Sequence, residues 1–407
     1  MSKRVFGITS FAHFANDGST FLYPVLITFL YTEFPATNLA ILGVLAIMNP
    51  IVSGAMSTPV GILADKLERK GVLIALGLAL NGVAALFFAF SVQHGTLEFL
   101  YIIIGVTVLG FGQSFYHPIG SSILRSEYGR NTPMILGING SFGSFGRGIF
   151  PLIIAGLIGI FGLVEGMFIM WALGFTFAAV VLVSLGLPKI KGVARSRGRK
   201  QKKSLSGHMS VFKVFIFSLM TVVFLRAMVI RAVATYGPSY LANVTNSQFL
   251  GIFIFTMGVL TPVAGQTIFG IVTTRKGGFF SITTTTIFSG LAFFLLLLSG
   301  SNAILDALFF SIYAFFTYSG FPTLLGYLNQ VVPKEISTSS GGIVWGVGQF
   351  LGGAAGIALS SFLVYRESLY FSFWIMLIFT LSASLLLPFL KLQEKNSRDK
   401  AEVAGAQ

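Results

Sequence analysis

The segment VLIALGLALNGVAALFFAFSV, residues 72–92, has no charged side chain over 21 consecutive positions. About 20 apolar residues in an α-helix span the hydrocarbon core of a bilayer. Backbone polar groups find no water inside lipid, so such a segment must satisfy its hydrogen bonds internally as a helix. Residues 72–92 therefore predict a transmembrane helix.

Similar apolar segments recur along the whole chain of 407 residues, of which 54% are hydrophobic and only 10% charged. A soluble domain usually carries about 25% charged residues, so this composition excludes one. We predict twelve spans, near residues 5–31, 39–64, 72–92, 98–122, 133–159, 164–187, 211–241, 247–273, 278–300, 304–331, 337–364 and 367–391. The chain has no cysteine, which excludes disulfides and thiolate metal sites.

Basic residues are concentrated at the termini and around the loops that follow even-numbered spans. All but four of the 27 Lys and Arg residues lie there; Arg366 lies on the opposite side, and three arginines lie within spans. The positive-inside rule then places both termini in the cytoplasm. The net charge of +14 is mostly a topology signal, so we expect a lipid bilayer and not nucleic acid as the partner. We expect a functional monomer in the plasma membrane.

The longest polar segment, residues 188–210, follows the sixth predicted span and contains the basic sequence ARSRGRKQKKS. We interpret it as a cytoplasmic linker between an N-terminal six-helix bundle (1–187) and a C-terminal six-helix bundle (211–391), which a cytoplasmic tail (392–407) follows. A proline occurs in span four and in span ten, and a glycine-rich span follows each of them. The two halves therefore resemble each other weakly. The predicted fold is an all-α membrane protein with two pseudo-symmetric bundles. We expect the glycine-rich spans five and eleven to pack closely and to form the contact between the halves.

The loop between spans two and three reads Gly61-Ile-Leu-Ala-Asp65-Lys66-Leu-Glu-Arg69-Lys70-Gly71. It resembles the signature of the major facilitator superfamily. The resemblance implies twelve spans, small-molecule transport and alternating access. We expect a conformational clasp formed by Gly61, Asp65, Arg69 and Gly71. The matching loop of the second half, residues 270–277, has Thr274 in place of the acid, so the second clasp is expected to be weak or absent.

Three short segments carry a narrower resemblance: His13-Phe-Ala-Asn16-Asp17, Phe115-Tyr-His117-Pro118 and Gly140-Ser-Phe-Gly143-Ser-Phe-Gly146. They resemble the fosmidomycin-resistance branch of the superfamily. The resemblance implies a drug exporter that exchanges its substrate for protons, with the proton gradient as energy source and no cofactor. The sequence departs from the exporters in span five, which usually ends in an adjacent Gly-Pro. Here Arg147 follows Gly146, and the proline is displaced to Pro151.

Four charges stand out inside the predicted spans, the acid Asp17 and three arginines. A charge at this depth is costly and needs a partner or a task. We predict Asp17 as the proton carrier, with His13 one helical turn earlier and His117 as a relay, because imidazole titrates near neutral pH. A structural ion pair for Asp17, and ordinary hydrogen bonds for the histidines, stay open as alternatives. We predict no metal site, since the spacing of these three residues matches no recognised ligand pattern.

The three arginines, Arg147, Arg226 and Arg231, raise the question of the substrate. Guanidinium recognises carboxylate and phosphonate groups in bidentate fashion. We therefore predict a cavity for an anionic or zwitterionic solute, such as a fosmidomycin-like phosphonate or a carboxylate metabolite. The alternative is that one arginine pairs with Asp17 and the others reach toward an interface or toward backbone carbonyls. Further candidates for the cavity lining are Asn16, Gln113, Tyr116, Asn139, Tyr236, Gln266, Tyr318, Trp345 and Gln349.

The function predicted from these residues is a proton-coupled secondary transporter that exports a drug-like or anionic compound by antiport. The rival is a proton symporter that imports an organic anion, which Arg147 favours. No Walker loop, Gly-x-Ser-x-Gly or His-Glu-x-x-His motif occurs, which disfavours ATP hydrolysis and an intramembrane enzyme. A transporter-like sensor would need a signalling domain. We predict no catalytic residue, and we give the threonine run 283–286 no role beyond bonding its own helix.

Overall fold

The computed structural model describes residues 2–33, 38–67, 69–93, 97–128, 132–186, 202–300 and 302–405, which are almost entirely helical. The helices of the first half are α1 Ser2–Gly18, α2 Leu22–Glu33, α3 Leu39–Leu45, α4 Met48–Lys66, α5 Lys70–Gln93, α6 Glu98–Gln113, α7 Tyr116–Tyr128, α8 Thr132–Phe161 and α9 Leu163–Val181. Those of the second half are α10 Lys202–Thr245, α11 Gln248–Leu260, α12 Pro262–Lys276, α13 Gly278–Leu298, α14 Ala303–Tyr318, α15 Gly320–Val331, α16 Lys334–Ile343, α17 Gly352–Arg366, α18 Leu369–Leu385 and α19 Leu387–Gly405.

Ten helical stretches in the described ranges are long and apolar enough to cross a bilayer. The other two predicted spans are interrupted. In the first span, a 3-10 turn at Ser19–Phe21 separates α1 from α2. In the tenth, α14 ends at Tyr318 and α15 begins at Gly320. With these two segments the chain has the twelve spans that the sequence predicts.

Helix breaks near prolines occur in both halves. In span four, α6 ends at Gln113 and α7 begins at Tyr116, two residues before Pro118. In span eight, α11 ends at Leu260 and α12 begins at Pro262. Proline has no amide hydrogen, and its ring clashes with the carbonyl four residues earlier, so a continuous helix is disfavoured at these points. The break in span ten also stands shortly before a proline of the sequence, which agrees with the predicted pseudo-symmetry.

Glycines let the fifth and eleventh spans pack closely on the first span of their own half. Gly146 of α8 lies against the backbone of Phe14, and Gly356 of α17 lies against the backbone of Met228 in α10. Spans five and eleven also contact the opposite half, because α8 packs on α11 and α12 while α17 packs on α3. Both spans therefore lie at the boundary between the halves, as predicted. In span five, Gly148 and Gly159 lie against Leu260 and Phe249 of the opposite half, whereas the closely packed glycines of span eleven contact their own half.

The apolar cores of the two halves merge at the end of the molecule remote from the termini. There the ring centroids of Phe21 and Phe255 are 5.0 Å apart, and the hydroxyls of Thr28 and Ser239 are 2.9 Å apart. Near the end that carries the termini, each half has its own buried cluster, one around Ile123 and one around Leu328. The buried core thus joins the halves at one end and not at the other.

The predicted linker and tail are only partly covered by the described residues. Residues 187–201 lie outside them, and α10 begins at Lys202, so the end of the predicted linker is helical. The predicted tail, 392–407, is also helical as far as Gly405. The division of the chain at residues 187 and 210 stays a prediction.

Glu394 docks the carboxyl-terminal helix onto α15. Its carboxylate is buried and accepts hydrogen bonds from Tyr327 Oη at 3.0 Å and from Lys391 Nζ at 2.8 Å. Arg398 Nη2 lies 3.0 Å from the other carboxylate oxygen and also donates to the Gln330 carbonyl at 3.2 Å. The beginning of the predicted tail is therefore attached to the second half.

Replacing Glu394 with Gln is expected to loosen this helix. The two basic partners are about half exposed, so water screens much of the lost charge, and we expect a loss of about 1 kcal/mol in stability. The measurement is the thermal midpoint of the purified protein in detergent. Glu402→Gln, an exposed acid on the same helix, is the control and should leave the midpoint unchanged. Equal midpoints for the two variants would contradict the docking role.

Candidate functional site

Asp17, in the last turn of α1, is buried and surrounded by three basic side chains. Arg147 Nη1 donates to its Oδ2 at 2.7 Å. His13 Nε2 lies 3.3 Å from Oδ2, and His117 Nε2 lies 3.3 Å from Oδ1. Asn16 Nδ2 donates to Oδ1 at 3.1 Å. We call Asp17, His13, His117 and Arg147 the Asp17 cluster; it unites spans one, four and five.

The cluster depends on helix periodicity and on glycine. His13 and Asp17 are four residues apart and share one face of α1. Span five can approach this face because Gly143 has no side chain: a Cβ there would overlap His13 Nε2 and lie 2.9 Å from Asp17 Oδ2. The close approach brings Arg147, one turn further along α8, within reach of the carboxylate.

Gly143→Ala is therefore expected to disrupt the cluster without removing any of its chemical groups. Forcing a methyl group into such a contact costs about 1–3 kcal/mol, so we expect transport driven by a pH gradient to fall at least about tenfold. Gly156→Ala on the same helix is the matched control, because nothing lies within 4 Å of its added Cβ. Normal transport by Gly143→Ala would show that the close approach is dispensable.

Hydrogen bonds behind His13 determine which of its nitrogens carries the proton. Asn139 Nδ2 donates to Ser10 Oγ at 3.2 Å, which turns the Asn139 carbonyl oxygen toward His13 Nδ1 at 2.8 Å. Tyr116 stacks on the His13 ring and donates to the Thr9 carbonyl at 2.8 Å. His13 Nδ1 is then the donor, so Nε2 can bond to Asp17 only when it is protonated as well. A hydrogen bond between His13 and Asp17 therefore needs one additional proton.

Solvent reaches the cluster through His117. The His117 side chain is 62% exposed, that of Arg147 is 31% exposed and that of Asp17 is 3% exposed. His117 stands at the start of α7, where the break in span four brings its ring beside Asp17. A proton can therefore pass between solvent and the buried carboxylate by way of one histidine.

The same residues have the composition of a metal site, since His13, Asp17 and His117 offer ligand atoms that all lie within 4.8 Å of one another. The spacing argument from the sequence therefore underestimated how closely these residues meet. The guanidinium of Arg147, however, occupies the same carboxylate at 2.7 Å. A divalent cation would sit beside this positive charge, which opposes its binding.

The three arginines within the spans have different surroundings. Arg147 pairs with Asp17 and also donates to Ser144 Oγ at 3.0 Å. Arg226 donates to the hydroxyls of Thr285 and Thr286 in α13. The expectation that this threonine run has no role beyond its own helix is thus wrong, because two of its hydroxyls also hold Arg226. Arg231 has no hydrogen bond or ion pair with any residue that the structure describes.

The predicted lining residues fall into two groups. Asn16, Tyr116 and Asn139 surround the Asp17 cluster, and Gln113 lies nearby and accepts from Asn49 at 3.3 Å. Of the other five, Gln266 bonds to Ser144 beside Arg147, and Tyr236, Trp345 and Gln349 lie elsewhere. Tyr236 is fully buried and its hydroxyl is 2.7 Å from that of Ser361, Trp345 packs on the cluster around Leu328, and Gln349 lies in the π-helical turn Val344–Leu351. Because Tyr236 is fully buried in this conformation, a solute cannot contact it.

The predicted clasp is only partly visible, because the side chain of Asp65 lies outside the described residues. Gly61 lies beside Pro118 of α7, Gly71 is buried and Arg69 is exposed. The loop is held by Lys70, which was not predicted: its Nζ donates to Ser122 Oγ at 2.7 Å.

The matching loop of the second half is also held by side-chain hydrogen bonds. The side chain of Gln330 accepts from the Gly278 amide at 2.7 Å and donates to the Thr273 carbonyl at 3.1 Å. A neutral amide thus holds both ends of this loop. The expectation of a weak or absent second clasp considered only the missing acid at Thr274.

A short chain of hydrogen bonds connects the Asp17 cluster to the opposite half. Ser144 Oγ accepts from Arg147 Nη2 at 3.0 Å and from Gln266 Nε2 of α12 at 2.8 Å. Ser144 was not among the predicted residues. Its position one turn before Arg147 on α8 is the sequence signal that could have identified it.

Comparison with known proteins agrees with this architecture. The family model described as Major Facilitator Superfamily matches residues 9–350. The fosmidomycin resistance protein of Escherichia coli is 25% identical over 355 residues, which cover 84% of this chain and 83% of that protein.

Two solved structures share the fold. A bacterial homologue of the human lysosomal transporter Spinster, in an inward-facing and unoccupied conformation, has a TM-score of 0.75 at 12% identity over 97% of each chain. The nucleoside transporter NupG, as a mutant, has a TM-score of 0.72 at 18% identity over 95% of this chain and 98% of its own.

Proposed function

Because the chain belongs to the Major Facilitator Superfamily, we propose that it is a proton-coupled secondary transporter that works by alternating access and exports a small drug-like or anionic compound by antiport. As a member of this family it is a multi-pass membrane transporter of small molecules and not an enzyme. The energy source is the proton gradient across the plasma membrane, without a cofactor, and the working unit is the monomer.

The Asp17 cluster carries this proposal. Asp17 is the proton carrier and His13 shares its proton, since the His13 Nε2–Asp17 contact of 3.3 Å becomes a hydrogen bond only with an added proton. His117 exchanges protons with solvent. Arg147 neutralises the carboxylate when the proton is absent, so the site has a stable form in both protonation states.

The chain of hydrogen bonds through Ser144 supports coupling between protonation and the movement of the halves. Protonation of Asp17 removes the charge that holds Arg147. A shift of Arg147 would then act on Ser144 and, through it, on Gln266 in the opposite half. The positive-inside rule places the termini in the cytoplasm. The end at which each half has its own core then faces the cytoplasm, so in this proposal the conformation is open to that side.

The test of the proposal is transport in liposomes. The purified protein would be reconstituted, a pH gradient imposed, and phosphonates, carboxylates and cationic drugs screened for movement in each direction. Antiport predicts that solute moves against the direction of proton flow. Absence of any pH-dependent flux across the panel would contradict proton coupling.

A proton symporter that imports an organic anion is the second candidate, and the exposure of Arg147 favours it. About a third of this side chain is exposed while it also holds Asp17, so an anion in the cavity can compete for it. An anion that takes Arg147 leaves Asp17 more readily protonated, and the anion and the proton then bind together. Movement of solute and protons in the same direction would establish this candidate.

A further inference from the structure

A cavity lies between the halves beside the Asp17 cluster. Its lining includes Thr20, Phe21 and Asn49 from the first half and Arg231, Thr235 and Ile357 from the second. Taking the proposed transport function as the premise, we infer that Arg231 binds the anionic group of the transported compound, an organic oxyanion of the carboxylate or phosphonate class. The sequence predicted a substrate-binding role for three arginines, and this inference assigns the role to Arg231.

Arg231 differs from the other two arginines in having an unused guanidinium. Arg147 and Arg226 have acceptors from their own half, whereas Arg231 has none among the residues described. Its stem is fixed over Gly353 of α17, where a Cβ would lie 2.6 Å from Arg231 Cγ. A charge without a protein partner at this depth is costly and favours an anion as its partner, and the cavity is where one can enter.

The polar groups near Arg231 also suit an oxyanion. The Tyr318 hydroxyl is buried without a hydrogen-bond partner in the described structure and lies within electrostatic reach of Arg231 and Arg147. Gln113 Nε2 is likewise buried without a partner, behind Asn49. The Arg231 guanidinium, the Tyr318 hydroxyl and the Gln113 amide can all donate hydrogen bonds. The apolar side chains of Phe21 and Ile357 form part of the same lining.

An anion at Arg231 would act on the proton site. Arg231 interacts electrostatically with Asp17 and Arg147, while His13, His117 and Tyr116 face Asp17 from the other sides. A negative charge placed here favours the protonated carboxylate. Linkage is reciprocal, so the proton also favours the anion. Anion affinity is therefore expected to rise as the pH falls.

The experiment measures ligand stabilisation of the purified full-length protein in a nonionic detergent. The probes are phenylphosphonate, benzoate and fosmidomycin, with benzyl alcohol as the neutral control. At least one anionic probe should raise the thermal midpoint of the wild-type protein. Arg231→Gln should lower the affinity for that probe by about 10- to 100-fold, the loss expected for charge-assisted hydrogen bonds. Arg226→Gln is the matched control and should change it by less than about threefold.

The unliganded Arg231→Gln protein should melt at or above the wild-type midpoint, because the substitution removes an unpaired charge. Each of three results would overturn the inference. These are equal affinities in the two variants, no stabilisation by any anionic probe, and protection only by an anionic lipid. Arg231-dependent binding without any pH-driven flux would refute the proposed function and leave the inference intact. Proton-coupled flux that is insensitive to Arg231→Gln would overturn the inference and leave the proposed function intact.

Discussion

Liposomes that contain Asp17→Asn protein are expected to show no accumulation of solute driven by a pH gradient. One pH unit supplies about 1.36 kcal/mol per proton, a factor of about ten in a concentration ratio. A transporter that couples one proton to one solute should therefore reach about a tenfold gradient per pH unit. Asparagine has the shape of aspartate but cannot take up the proton, so this ratio should fall to about one.

The variant should still exchange solute across the membrane without a gradient, which separates loss of coupling from loss of folding. Asp306→Asn is the control, because Asp306 is a buried acid outside the cluster and its carboxylate accepts a hydrogen bond from Ser299. We expect this control to keep its coupling. Tenfold accumulation by Asp17→Asn would contradict the assignment.

Arg147→Gln is expected to have the largest effect on stability. It leaves the Asp17 carboxylate, only 3% exposed, without its closest counter-charge. Breaking a buried ion pair by removing one partner costs about 3–5 kcal/mol, and the partial exposure of Arg147 places the expected loss near about 3 kcal/mol. The measurement is denaturant or thermal unfolding in detergent, together with the yield of folded protein.

The double variant Arg147→Gln/Asp17→Asn provides the control for this prediction. Without the carboxylate no charge is left unpaired, so the double variant should be more stable than Arg147→Gln alone. A double variant whose losses simply add would show that Arg147 stabilises the protein through other contacts, such as Ser144.

The fold was predictable because lipid leaves the backbone few choices. Apolar length and the distribution of basic residues were sufficient for twelve spans, since a bilayer requires every backbone group to be paired inside a helix. The interruption at Ser19–Phe21 was not predictable in this way. It changes the helix type over a single turn, and the apolar pattern continues through it.

The site was predictable where its residues share a helix. His13 and Asp17 are one turn apart, so their contact follows from the period of α1. Which arginine meets Asp17 depends on how closely α8 approaches α1, and Gly143 decides that only once the helices are packed. Contacts such as Arg226 with Thr286 or Gln330 with Thr273 join different helices, and no sequence spacing encodes such pairs.

The central claim is that protons move through this protein because Asp17 binds them. The most direct measurement records the internal pH of liposomes, without an imposed pH gradient, when a solute gradient is applied. Wild-type protein should change the internal pH in step with solute movement, and Asp17→Asn should move solute with no pH change. A pH change of wild-type size in the Asp17→Asn liposomes would contradict the account.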